Sequence, residues 1–196
     1  MSSRITKLLK YLHKETDFNT SPASSRFHGS YRGGLKDHSW NVVNELRLLT
    51  IRHNLNWQDV ESIVIIGLGH DICKTGSYYW DETKQEYYKG YSDDKRHAEK
   101  SVEMLKDIIT LTEEEELCIR WHMGAFDKEE NWNKFTEAIH KYPNVFWTHT
   151  ADMIASHIKE INYAPKTVIE SRCDECKHDC NEDCGHPEKE NSDYES

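Results

Sequence analysis

The stretch IGLGHDICKTG, residues 66–76, decides how the chain is interpreted. A phosphate-binding loop of the Walker type needs Gly, four residues and then Gly-Lys-[Ser/Thr], but Cys73 stands where the second glycine belongs. The dinucleotide-binding pattern fails too, because its third glycine would fall on Ile72. What remains is His70-Asp71, two metal-binding side chains that follow an apolar run. The stretch therefore predicts a metal site near the end of a helix.

The segments on either side of this stretch have mostly helical patterns. Apolar residues recur at spacings of three and four, with caps or breakers between the segments. Helices are predicted over 3–14, 38–53, about 56–71, 93–109, 112–122, 132–142 and 144–161, with an irregular segment over 15–37. Thr112 with Glu115, and Asn56 with Asp59, are capping-box-like helix starts. Residues 77–91 alternate tyrosines about a polar centre, so a hairpin or a long loop is expected within an all-α fold.

The length and composition indicate one globular domain with a tail. The chain has 196 residues, 36% of them hydrophobic, and no apolar run approaches the roughly 20 residues that a bilayer span needs. The N-terminal MSSRITKLLKYLHK has helical spacing interrupted by lysines, unlike a signal-peptide core, so we expect a cytoplasmic protein without a membrane partner. The net charge of −10 is concentrated in residues 170–196, which hold ten acids and three bases. The remainder is nearly neutral, so a nucleic-acid substrate is not excluded.

Six side chains with metal-binding chemistry fall on separate turns or helices: His38, His70, Asp71, His97, His122 and Asp152. Divalent ions that activate water bind imidazole nitrogens and carboxylate oxygens together. The surrounding segments, in this order GGLKDHSWNV, GHDICKTG, RHAEKSVEML, IRWHMG and HTADMIAS, resemble the HD superfamily of metal-dependent phosphohydrolases. The resemblance covers about residues 20–160. It implies an all-α helical bundle.

The resemblance also implies two divalent metal ions. The first is implied to bind four side chains: His38, His70, Asp71 and Asp152. The second is implied to share Asp71 and to add His97 and His122. The resemblance leaves the choice among Mn, Fe, Co, Ni and Mg open.

Lys74 matches the lysine of the HD-x-x-K form of the family, whereas Cys73 replaces its usual glycine. Lys74 is expected to bind a substrate phosphate and to assist catalysis together with Asp71, or else to be a solvated lysine at a helix end. The expected reaction is attack of metal-activated water on a phosphoester.

A second resemblance concerns the lead-in SPASSRFHGSYRGGLKDHS, residues 21–39, which is similar to that of HD domains in bacterial 3′-to-5′ exoribonucleases and conjugative relaxases. Arg26 and His28 are expected at the mouth of the site, where they would contact a phosphate or a base. His149 lies one helical turn before Asp152 and is expected either to support a ligand, to contact substrate or to be structural.

The C-terminal CDECKHDCNEDCGH crowds four cysteines together: Cys173, Cys176, Cys180 and Cys184. Its Cys-x2-Cys opening suits zinc, but the following gaps are tighter than in most structural zinc sites, so a zinc site and a disordered acidic tail both stay open. Cys73 and Cys118 are predicted to be buried thiols. We predict an N-terminal helix that packs on the domain (1–19), an HD domain (20–165) and this tail (166–196).

Three functional hypotheses follow. The first is a phosphohydrolase that cleaves a phosphoester of a nucleotide. The second is a 3′-to-5′ exonuclease acting on single-stranded nucleic acid. The third is a metal-holding interaction module without catalysis. The expected partner is a nucleotide or a nucleic-acid 3′ end, and assembly into a homo-oligomer is left open.

Overall fold

The computed structural model describes residues 3–90, 97–125 and 129–160, which belong to one compact unit extending over residues 1–164. The predicted tail with its four cysteines lies outside the described residues. No helix in the described ranges is long and apolar enough to cross a membrane.

The described residues are mostly helical, which confirms the predicted fold class. The helices are α1 (Arg4–Lys14), α2 (Gly34–His53), α3 (Ser62–Gly69), α4 (His97–Lys106), α5 (Glu113–Arg120), α6 (Glu129–Lys141) and α7 (Asn144–Ile154). A 3₁₀ turn, Ile72–Lys74, follows α3, and a π-helical turn, Ala155–Lys159, continues α7. The strands β1 (Tyr78–Asp81) and β2 (Glu86–Lys89) form one antiparallel hairpin, so the hairpin alternative for residues 77–91 is confirmed.

Two of the helix starts that differ from the prediction have a local cause. The α2 helix begins at Gly34, because Gly33 takes a left-handed conformation (φ 89°) that turns the chain into the helix. The α3 helix begins at Ser62 and not near residue 56, because Asp59 Oδ1 accepts a hydrogen bond from the Glu61 N–H in a turn ahead of the helix. The Thr112 capping box before α5 is confirmed, with both of its reciprocal hydrogen bonds present.

The centre of the fold is α2, which packs against α3 and α7, while α5 packs against α4 and α7. The side chains between them are aliphatic and fully buried, among them Val42, Val43, Leu46, Ile65, Ile66, Leu68, Ile119 and Val145. The α2 and α3 helices approach closely at Gly67, where an added Cβ would lie 2.9 Å from the Val43 backbone nitrogen. This close approach places the end of α3 beside the middle of α2.

The α1 helix is fixed to the rest of the fold by a buried carboxylate. Leu8 and Leu12 of α1 are fully buried in the core. The Arg4 guanidinium donates to both oxygens of Glu115, at 2.7 and 3.0 Å, and Ser62 donates to the same carboxylate at 2.7 Å. Because Glu115 is completely buried, these donors supply the partners that its charge requires.

Candidate metal centre

The six predicted metal-binding side chains converge on one buried centre. His38 comes from α2, His70 and Asp71 directly follow α3, His97 begins α4, His122 follows α5, and Asp152 lies in α7. His38, His70 and His122 are at most 1% exposed, and Asp71 is 3% exposed. Five separate elements therefore deliver these side chains to the core.

The first half of the centre contains His38, His70 and Asp152. The Nε2 atoms of His38 and His70 lie 3.1 Å apart, and Asp152 Oδ1 lies 3.1 Å from His38 Nε2. Asp71 Oδ2 faces the same group, 3.3 Å from His70 Nε2. The nearest donor atoms of His38, His70 and Asp152 all lie within 4.8 Å of one another, so these residues form a group able to hold a metal ion.

The second half of the centre contains His97 and His122, whose Nε2 atoms are 3.2 Å apart. Asp71 turns its other oxygen toward them, with Oδ1 lying 3.7 Å from His97 Nε2 and 3.6 Å from His122 Nε2. This Oδ1 atom is buried and has no hydrogen-bond partner in the described part of the chain. Asp71 thus lies between the two halves with one oxygen directed at each.

The hydrogen bonds at Nδ1 of His38, His70 and His122 show why their Nε2 atoms suit a cation. The Nδ1 atoms of His70 and His122 lie 3.0 and 2.7 Å from the carbonyl oxygens of Gly67 and Ile119, which only accept, so each Nδ1 is the donor. His38 Nδ1 lies 3.0 Å from Glu160 Oε1. In the neutral form that a metal ligand must take, each Nε2 then carries a lone pair directed at the centre. Facing lone pairs and an unpartnered carboxylate oxygen fit a divalent metal ion, which accepts all of them as ligands.

The charges around the centre also favour a cation. Burial by itself raises the pKa of the Asp71 carboxyl, but Lys74 and His70 hold it well below its ordinary value. The pKa of Asp152 is lowered in the same way, because the hydrogen bond with His38 outweighs burial. Burial opposes protonation of His38, yet hydrogen bonds to Asp152 and Glu160 raise its pKa to about 9. Both carboxylates are therefore ionised near neutral pH and stabilise positive charge between them.

Residues 35–173 match the family model described as HD domain. The chain belongs to the HD-domain family. No curated protein and no solved structure matches it. HD domains bind divalent metal ions and are generally hydrolases, which agrees with the groups of His and Asp side chains found here. The similarity of residues 21–39 to exoribonucleases and relaxases stays a prediction.

Lys74 of this HD domain is directed at the centre. Its Nζ atom lies 2.7 Å from Asp71 Oδ2, and its side chain is 16% exposed. Burial by itself lowers the pKa of Lys74, but the adjacent Asp71 carboxylate raises it above its ordinary value. Lys74 is therefore a positive charge held beside the centre rather than a solvated lysine.

The lead-in residues of the HD domain are divided between the site and the surface. The ring of His28 packs on that of His38 with centroids 4.8 Å apart, and its Nε2 atom is buried without a hydrogen-bond partner in the described residues. Burial, followed by the charges of His38 and Lys74, lowers the pKa of His28 to about 4, so its ring is neutral at pH 7. Arg26 is exposed two residues earlier.

His149 supports the chain that carries His122. Its Nδ1 lies 2.8 Å from the His122 carbonyl oxygen and therefore donates to it, and its ring packs against Phe135. An added Cβ on Gly124 would lie 3.1 Å from the His149 ring, so this glycine makes room for the imidazole.

Glu160, which contacts His38, and Asn41, which contacts Glu160, have no signal in the sequence. Glu160 Oε1 accepts hydrogen bonds from His38 Nδ1 and from Asn41 Nδ2, each at 3.0 Å. Glu160 lies 122 residues after His38, and no spacing rule connects the two. The π-helical turn that brings it there also has no sequence signature.

Proposed function

We propose that this HD domain is a metal-dependent phosphohydrolase that acts on a nucleotide. The observation that supports this most is the convergence of four imidazole Nε2 atoms on the two oxygens of Asp71. Imidazole and carboxylate donors without thiolates are typical of metal sites that activate water.

In this proposal, two groups of residues hold two ions that share Asp71. His38, His70 and Asp152 form the first group, and His97 with His122 forms the second. Divalent ions held by these residues would supply a water molecule of lowered pKa and positive charge for phosphoryl oxygens. Asp71 would fix the spacing of the two groups, because its two oxygens face opposite halves of the centre.

Lys74 is proposed to bind the substrate phosphate. A lysine ammonium is a compact charge that pairs with phosphate oxygens. Lys74 Nζ lies 2.7 Å from Asp71 Oδ2, so its positive charge is held beside the metal centre before substrate binds. His28 is proposed to contact the substrate from the lead-in side, since its neutral ring has an unpartnered Nε2 atom. Arg26 is proposed to reach an outer phosphate from its exposed position.

The test is hydrolysis of a panel of mononucleotides with Mn²⁺, Co²⁺, Ni²⁺, Fe²⁺ and Mg²⁺. We expect phosphate release that a chelator abolishes and that Asp71→Asn lowers by at least about 100-fold. Asp81→Asn in the hairpin is the matched control and should leave the rate unchanged. Full activity of Asp71→Ala would overturn the proposal. Metal binding without hydrolysis of any substrate would favour the interaction-module hypothesis instead.

A 3′-to-5′ exonuclease is the second candidate, and the hairpin after Lys74 favours it. Tyr79, Trp80 and Tyr88 are 53%, 42% and 50% exposed, and Phe27 beside His28 is 79% exposed. Exposed aromatic rings in segments that adjoin Lys74 and His28 in the sequence suit the stacking of successive bases of a single strand. Labelled oligonucleotides separate the two candidates, because an exonuclease would shorten them stepwise. The double variant Tyr79→Ala/Tyr88→Ala would then slow the shortening of oligonucleotides and leave the rate of mononucleotide hydrolysis unchanged.

A further inference from the structure

Glu160 occupies a position that the proposed chemistry does not use. Its carboxylate is 4% exposed and sits behind His38, on the side of the ring away from His70 and Asp152. One oxygen, Oε1, accepts from both His38 Nδ1 and Asn41 Nδ2 at 3.0 Å. The two donors on Oε1 therefore fix the position of the carboxylate and the orientation of the His38 ring, while Oε2 is buried without a hydrogen-bond partner in the described residues.

His38 differs in this respect from two other histidines of the centre. His70 and His122 donate Nδ1–H to main-chain carbonyls within three residues of themselves, Gly67 and Ile119. His38 has no such local acceptor and depends on a side chain that lies 122 residues away. A carboxylate acceptor carries a full charge, so it fixes the tautomer and also makes the opposite ring nitrogen a better ligand.

The path of the α7 helix explains how Glu160 reaches His38. In a regular α-helix Glu160 would lie eight residues after Asp152 and therefore about 80° away around the axis. The π turn Ala155–Lys159 takes up about one additional residue, and the Glu160 N–H accordingly donates to the Ala155 carbonyl five residues back. Glu160 then returns to within about 20° of Asp152, as a residue seven positions later would. One helix thus presents both Asp152 and Glu160 to His38.

Further contacts hold the π turn in place. Ser156 Oγ donates to the Asp152 carbonyl at 2.7 Å, which satisfies an acceptor at the point where the helix widens. Lys159 forms an ion pair with Glu45, a buried residue of α2. The turn is therefore anchored to the helix that carries His38.

We propose that Glu160 is a positioning residue of the metal centre, which holds His38 through Nδ1 so that Nε2 is fixed toward a bound divalent ion. Asn41 acts with it by holding the same carboxylate oxygen. The proposal rests on the proposed function, in which His38 is a metal ligand. Partners of this kind behind a ligand change metal affinity by about 10–100-fold when they are removed.

The test is titration of the full-length, metal-stripped protein with Mn²⁺ by calorimetry and with Co²⁺ by visible absorption. We expect Glu160→Gln to weaken metal binding by about 10–100-fold and to change the Co²⁺ spectrum, because the ring of His38 is no longer held by a charge. The matched control is Glu114→Gln, a buried acid of α5 that accepts hydrogen bonds from Gln58 N–H and Asn144 Nδ2 and touches neither a ligand nor the π turn. It should change the affinity by less than about threefold.

The outcomes separate the two proposals. Wild-type protein that binds neither ion would refute the metal centre itself, and with it the proposed function. Wild-type binding that Glu160→Gln leaves unchanged in affinity and spectrum would refute the positioning role alone. If Glu160→Gln does not fold, Asn41→Ala tests the positioning role instead. That variant keeps the Glu160 carboxylate but removes the hydrogen bond from Asn41 that holds it. An unchanged affinity in that variant would overturn the proposal, and a loss would support it.

Discussion

Replacement of Gly67 by alanine tests whether the close approach of α2 and α3 sets the geometry of the metal centre. An added Cβ would lie 2.9 Å from Val43 N and 3.0 Å from Val43 Cα, whereas ordinary contacts begin at 3.4 Å. The two helices must therefore separate by about 0.5 Å, since backbone atoms cannot rotate away. Val43 shares α2 with His38, and Gly67 lies three residues before His70. The substitution thus moves apart the two imidazoles whose Nε2 atoms are 3.1 Å apart.

The magnitude follows from two opposing effects. Overpacking of a core costs about 1–3 kcal/mol, while alanine improves helix propensity by about 1 kcal/mol over glycine. We expect a net loss of up to about 2 kcal/mol in the free energy of unfolding. For a chain of this size, that lowers the melting temperature by up to about 8 °C. Because binding groups must be held within about 0.5 Å, we also expect kcat/KM for metal-dependent hydrolysis to fall by about tenfold.

Gly69→Ala is the matched control for this experiment. Its Cβ would meet Leu105 Cδ1 at 2.7 Å and Cδ2 at 3.0 Å, which are side-chain atoms of α4 and not backbone atoms of α2, so the substitution does not force α2 and α3 apart. Thermal unfolding in EDTA and rates at saturating metal should be compared for both variants. The reasoning is refuted if Gly67→Ala is as stable and as active as Gly69→Ala.

Three other predictions follow from described contacts. Arg4→Ala should lower the free energy of unfolding, measured by urea denaturation, by about 3 kcal/mol, because it leaves the fully buried Glu115 without its charged partner. Its activity below the melting temperature should stay unchanged. Saturation with metal at about 100 times Kd should stabilise the protein by about 2.7 kcal/mol, measured as a rise in melting temperature that EDTA reverses. Cys73 and Cys118 should be alkylated only when the protein unfolds, because burial raises the pKa of Cys73 to about 11 and raises that of Cys118 as well. Peptide mass spectrometry measures the labelling, and rapid alkylation of either thiol in folded protein would contradict the prediction.

Much of the centre could be predicted because its residues carry local patterns. His70-Asp71 follows an apolar run, and His38 lies in a helix whose apolar residues recur on the face that carries it. The helical fold was predictable for the same reason, since periodicity and the Thr112 capping box depend only on nearby residues. Burial of Cys73 and Cys118 was also predicted and is confirmed.

Contacts between distant segments account for what the sequence did not predict. Asn56 and Asp59 look like a helix start, but the Asn56 carbonyl accepts from Asn144 and the Asp59 carboxylate pairs with Arg4. These tertiary contacts hold residues 56–61 as a turn, so α3 begins only at Ser62. Glu160 is not predictable from the sequence, because a regular helix would place it away from Asp152 and the π turn that corrects its direction depends partly on the ion pair of Lys159 with Glu45 of α2.

The long path between His38 and its supporting carboxylate determines when the centre can form during synthesis. His38 is made early, but the carboxylate that orients its ring follows 122 residues later, after the seven helices of the described ranges have been translated. A nascent or truncated chain that stops before Asp152 contains histidines without the fold that groups them, and such non-local contacts form late in folding. The residues proposed to hold the metal are therefore brought together only after the helical unit is complete. Translation products broken off earlier should leave the ribosome without a functional centre.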